Sequence, residues 1–117
     1  MSDLAKKVDT AITACKVNQA LAVKVYEHMP EVQKRVLRGA EELKAELGFD
    51  ASPPLERVLI EQIAACWLQA QSAGFVYHAV QAQDLTHPDL DALDRRYTTA
   101  QNRLLRAIDA LTRIRRL

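Results

Sequence analysis

Residues 55–80, LERVLIEQIAACWLQAQSAGFVYHAV, set the terms for the rest of the chain. Between Val58 and Leu68 apolar residues occur on every side at helical spacing, and the segment holds the single tryptophan, Trp67. A helix that is apolar all round belongs inside a bundle rather than on its surface. Glu61, Gln62, Gln69, Gln71 and Ser72 interrupt it, so it lacks the uninterrupted run of about 20 apolar residues that a membrane span needs. The segment predicts a soluble core helix with Leu59, Ile63, Cys66, Trp67 and Leu68 in its core, and no membrane association.

Working outward from that helix, the pattern runs from Pro54 to about Gln83, with Gly74 as a weak point or a place where another helix comes close. Upstream, Phe49 to Pro54 (FDASPP) is an ordinary interhelical loop whose serine and prolines announce a helix start. Before it, Val32, Val36, Ala40, Leu43 and Leu47 form a narrow apolar stripe on a surface helix over 31–47. Gly48 is its stop, Gly39 a soft spot, and Glu31 stands four residues from Arg35. The first helix spans about 3–29, capped by Ser2 and ended or kinked at Pro30. Its stripe weakens at Asn18 and Gln19; one of these is expected at the edge of the face, the other in a register or interface role.

Downstream, Asp84 to Pro88 (DLTHP) is the second clear break, and Thr86 with Asp89 is a short-armed capping box. From residue 88 to 116, Leu90, Leu93, Tyr97, Ala100, Leu104, Ala107, Leu111 and Ile114 alternate steps of three and four, a heptad seam. Leu105 and Ile108 widen it. The expected architecture is one all-α domain over residues 1–117, bundle-like with four helices. The third and fourth, each about 40 Å long, form an antiparallel hairpin.

Composition agrees. Of 117 residues, 49% are hydrophobic and 26% charged, which is globular rather than disordered, and only 5% are aromatic, which disfavours a sheet. The formal charge of +1 hides an asymmetry. Residues 1–94 hold 9 Lys/Arg against 14 Asp/Glu, whereas residues 95–117 hold 7 Arg against Asp109 alone. Cys15 and Cys66 match no metal-site spacing and predict buried free thiols. MSDLAKKVDT lacks the apolar run of a signal peptide, so a cytoplasmic protein is expected.

Candidate sites follow from these patterns. Arg95, Arg96, Arg103, Arg106, Arg113, Arg115 and Arg116 surround the last helix without being confined to one stripe. They suit phosphates of a nucleic acid, or equally Glu56 and Glu61, brought alongside by the hairpin, or an acidic partner protein. Leu93, Tyr97, Leu104, Leu111 and Ile114 of the seam are the candidate interface, toward a second copy or another protein. Tyr77, His78, His87 and Tyr97 gather at the hairpin turn with Asp84, Asp89 and Asp91, but no metal-ligand spacing occurs. No serine has a histidine at a telling distance, and no glycine-rich phosphate loop is present. No enzyme activity and no cofactor are expected. The expected function is interaction, by self-association or by docking a protein partner through the seam and the arginine helix. The alternatives are a nucleic-acid-associated protein and a bundle that takes an apolar ligand near Trp67 and Gly74.

Leu55-Glu56-Arg57, Cys66-Trp67-Leu68, Arg95-Arg96, Ala100-Gln101 and the run from Arg103 to Arg116 together resemble a pattern in small bacterial helical proteins. The resemblance covers the C-terminal half. It implies a bacterial source and a unit made of the third and fourth helices, and no activity.

Overall fold

The structure, a computed structural model, describes residues 2–83 and 87–116, the side chains of residues 87 and 88 excepted. Its elements are α1 (Asp3–Ala22), α2 (Pro30–Glu46), α3 (Pro54–Gln81) and α4 (His87–Arg116), with 3-10 turns at Val23–Tyr26 and Phe49–Ala51. No strand occurs among the described residues. The all-α class and the α3–α4 hairpin are as the sequence predicts. Antiparallel packing brings Arg115 of α4 to Glu56 of α3 at one end and Tyr97 to Gly74 toward the other.

The helix boundaries follow from local chemistry. Ser2 Oγ accepts a hydrogen bond from the Ala5 backbone N–H at 3.1 Å, capping α1. The first helix is shorter than the expected 3–29, because after Ala22 the chain tightens into the Val23–Tyr26 3-10 turn. Three residues per turn place Val23 and Tyr26 on the same side, and both are buried. The Gln33 side-chain amide donates to the Val23 carbonyl at 3.1 Å, serving an acceptor that a continuing α-helix would have used. Pro30 occupies the first turn of α2, where its missing N–H costs nothing. Gly48 has φ +77°, the left-handed stop that a side chain would strain. Arg57 then fastens the loop, donating to the Phe49 and Asp50 carbonyls (3.1 and 2.8 Å) with its guanidinium 5.4 Å from the Phe49 ring centre. The Thr86 capping box lies outside the described residues.

α3 is the hub. Ile60, Ile63, Ala64, Ala65, Cys66, Leu68, Ala70 and Gly74 are all buried, and each of the other three helices packs on it. Among the described residues α1, α2 and α4 do not bring their backbones against one another. Two apolar clusters share α3. In one, Ile60, Ile63 and Cys66 meet Ala107 and Leu111 of α4, with Leu43, Leu47, Leu59 and Leu104 alongside. In the other, Leu68 meets Val23, Tyr26 and Ala40, with Val32, Val36, Trp67 and Phe75 alongside. The stripe of α2 thus divides between the two.

Both internal glycines mark close approaches. A methyl carbon on Gly39 would lie 2.7 Å from Trp67 Cη2, and one on Gly74 would lie 3.0 Å from Tyr97 Cζ. Gly39 is therefore a seat for the indole, beyond the helix-softening residue the sequence shows.

Candidate interaction surface

Helical periodicity gives α4 two different sides. Its seam turns to α3: Ala100, Ala107 and Leu111 are buried, Leu104 packs on the core, and the Tyr97 ring lies over Gly74. Leu93 is half-buried, and Ile114, near the end of the helix, is 37% exposed. Leu105 and Ile108 remain exposed, at 63% and 43%.

The seven arginines have different fates. Arg115 is built into the fold: its Nε donates to Glu56 Oε1 at 2.9 Å, and its Nη2 donates to the Leu47 carbonyl and to Ser52 Oγ. It ties the C-terminus of α4 to the end of α2 and the start of α3. Arg113 pairs along its own helix with Asp109 at 3.1 Å, an exposed contact of small energetic weight. Arg95, Arg96, Arg103, Arg106 and Arg116 are exposed and have no hydrogen bond or ion pair among the described residues. At about 100° per residue, Arg95, Arg96, Arg103, Arg106 and Arg113 fall within an arc of about 100° along α4. Asp94 and Asp109 fall outside that arc. The seven are not one stripe, but five of them share a side.

That side borders a groove. Leu21, Ala22 and Val25 form one wall and Gln69, Ser72, Ala73 and Val76 of α3 the floor. The other wall is Leu93, Arg95, Arg96, Thr99, Ala100 and Arg103 of α4; the volume is about 670 Å³. A second hollow of α3 and α4, sharing Arg103, lies beyond it between Gln62, Cys66, Arg106, Ala107 and Ala110.

Glu61 goes elsewhere than the hairpin geometry suggests. It is 2% exposed, and its Oε2 lies 3.2 Å from Lys44 Nζ and accepts from Gln19 Nε2 at 2.6 Å. Lys44 Nζ also reaches Glu41 at 3.0 Å, and Gln19 donates to the Glu61 carbonyl at 3.2 Å. Every buried side-chain polar atom among the described residues has a partner. Gln19 is the buried member of its pair and Asn18 the exposed one. Sequence reasoning missed Lys44, which sits on a helix whose other charges face solvent. The available signal was Glu61 itself, since a carboxylate in the most apolar stretch needs a buried cation. On the surface of α2, Glu31 meets Lys34 (3.9 Å) rather than the expected Arg35.

Tyr77, His78 and Tyr97 do gather near the hairpin turn, with ring centres 5.3 to 6.1 Å apart. Asp84 and the His87 side chain lie outside the described residues. Among the described residues, no group of three or more His, Cys, Asp or Glu is placed to hold a metal ion. Cys66 is buried and Cys15 half-buried, both as free thiols. Burial pushes both up from the ordinary value near 9; Glu61 adds to the rise at Cys15, and Arg103 opposes it at Cys66. Both stay protonated, and so weakly nucleophilic, at neutral pH. No helix among the described residues is long and apolar enough to cross a membrane.

Comparison of the chain with protein-family models, with curated proteins and with solved structures finds no match.

Proposed function

We propose that this chain is a non-enzymatic interaction protein that docks a protein partner, or a second copy of itself, through α4. One observation carries the reading. α4 commits its seam to α3 and still presents Leu105, Ile108 and five unpartnered arginines to the outside. Apolar contact supplies affinity, and the arginines supply orientation and partner choice. Leu104 and Leu111 belong to the hairpin, so the docking faces are the rest of α4. Light scattering after gel filtration tests self-association: Leu105→Glu with Ile108→Glu should reduce an oligomer to monomers that melt normally. Leu104→Glu should instead unfold the chain. A monomeric parent chain that also retains no protein partner ends the reading.

The arginine stripe favours a second reading, contact with nucleic-acid phosphates. Binding would then weaken steeply with salt, and Arg103→Gln with Arg106→Gln would flatten that slope. Absence of retention on DNA or RNA at low salt excludes it. A third reading rests on a cavity of about 450 Å³ beside Trp67 and Gly74, lined also by Tyr26, Phe75, Tyr97 and Leu104. Tryptophan fluorescence unmoved by a panel of apolar ligands excludes that one.

A further inference from the structure

α1, α2 and α4 pack around α3, but one side of it, carrying Gln62, Gln69, Ser72, Ala73 and Val76, has no helix across it among the described residues. Its Glu61 side faces α1 and α2, and its Ile63 side faces α4. Between α1 and α4, however, no hydrogen bond or ion pair spans the gap among the described residues, and the groove there lies open. It follows α4 from Leu93 to Arg103, and a second hollow that shares Arg103, walled by α3 and α4 alone, carries on to Ala110; the two together span about 25 Å at 1.5 Å per residue.

The lining of this groove is chemically one-sided. The floor is mixed, Ala73 and Val76 lying beside Gln69 and Ser72, and Leu21, 54% exposed, stands on the α1 wall. The α4 wall carries Arg95, Arg96, Arg103 and Arg106, and no carboxylate among the described residues lines the groove. Nor, among the described residues, does any aromatic side chain. Single-stranded nucleic acids are held by stacking on aromatic side chains, and a duplex offers nothing to Leu21, Ala73 and Val76. What matches is a helix with an apolar stripe and an acidic flank, laid into the groove with its carboxylates against the arginine wall.

We infer that the α1–α4 groove is the docking site for an acidic amphipathic helix of a partner protein, which would complete the packing around α3. The inference rests on the interaction reading above and adds a place and a partner chemistry to it.

The test uses a fluorescein-labelled synthetic peptide of about 18 residues, with leucine at i, i+3, i+4 and i+7 and glutamate and alanine elsewhere. Its controls are a scrambled peptide of the same composition and a labelled DNA oligonucleotide. Fluorescence anisotropy should show saturable binding of the patterned peptide that weakens with added salt. Arg96→Glu with Arg103→Glu should weaken it by tenfold or more, Leu21→Glu by about tenfold, and Leu105→Glu not at all. The scrambled peptide should bind at least about tenfold more weakly than the patterned one. Equal binding of both peptides, insensitivity to Leu21→Glu, or DNA binding that needs the arginines but not Leu21 would overturn the assignment. If the peptide fails to bind while a Leu105- and Ile108-dependent oligomer persists, the groove assignment falls and the interaction reading stands.

Discussion

Lys44 and Glu61 meet inside the bundle, 3.2 Å apart with their side chains 9% and 2% exposed. Arg95, Arg96, Arg103 and Arg106 border an open groove lined by no carboxylate among the described residues. Both regions bring charge close to α3, yet they are in opposite energetic situations. In the first, ions taken out of water hold one another, and Gln19 donates a further hydrogen bond to the same carboxylate oxygen. In the second, water and counterions serve the charges, so nothing in the fold depends on them. Charge that the chain satisfies internally is structural; charge it leaves solvated is free to meet another molecule. The comparison also explains why Arg115 and Arg106, nine residues apart on one helix, are not equivalent.

Substitutions can break or sharpen this contrast. The largest effect is expected at Lys44→Ala, which strands Glu61 as a buried charge and should cost about 3–5 kcal/mol in denaturant unfolding. Glu61→Leu combined with Lys44→Met should recover most of that loss, since an apolar pair of similar volume needs no partner. A cost under about 1 kcal/mol for Lys44→Ala would mean that water reaches Glu61, and the contrast would collapse.

Next comes Gly39→Ala, on the same helix as Lys44. An exposed helix would gain about 1 kcal/mol from this change. Here the added methyl meets the Trp67 indole, and a net loss of about 1–2 kcal/mol with a shift in tryptophan emission is expected. A gain in thermal stability would place the indole elsewhere and loosen the α2–α3 packing that encloses Lys44.

Among the arginines, Arg115→Gln should cost about 1 kcal/mol, because it removes a charged donor from Glu56, Leu47 and Ser52 at a partly exposed site. Arg106→Gln is the smallest, within about 0.5 kcal/mol of the parent chain. Equal losses at the two positions, measured in the same urea titration, would show that the arginine face is part of the fold after all.

Much of this architecture is legible without coordinates. The all-round apolar character of residues 58–68 marks α3 as the interior helix, and Ile63 and Leu68 are buried accordingly. The three- and four-residue steps of α4 mark one apolar side, which sequence alone offers as an interface toward a partner; in the fold Ala107 and Leu111 of that side pack on α3. Pro30, Gly48 and Ser2 act as punctuation because their chemistry is local: a fixed φ, a left-handed φ and a capping oxygen need no distant partner. The end of α1 was less legible. Ending it at Ala22 rather than at Pro30 depends on Val23 and Tyr26 reaching the Leu68 cluster, a contact made more than 40 residues away.

Periodicity and punctuation, each read within a few turns of chain, determined from sequence the number of helices, their order and the identity of the hub. Tertiary structure alone decided which charges are closed and which are open. Whether Glu61 faces Lys44 or an arginine, and whether Gly39 seats an indole, depends on how α1, α2 and α4 rotate about α3. So does the sharing of one groove wall by Arg95, Arg96, Arg103 and Arg106. That rotation is set by the simultaneous fit of all four helices, and no single stretch of sequence contains it.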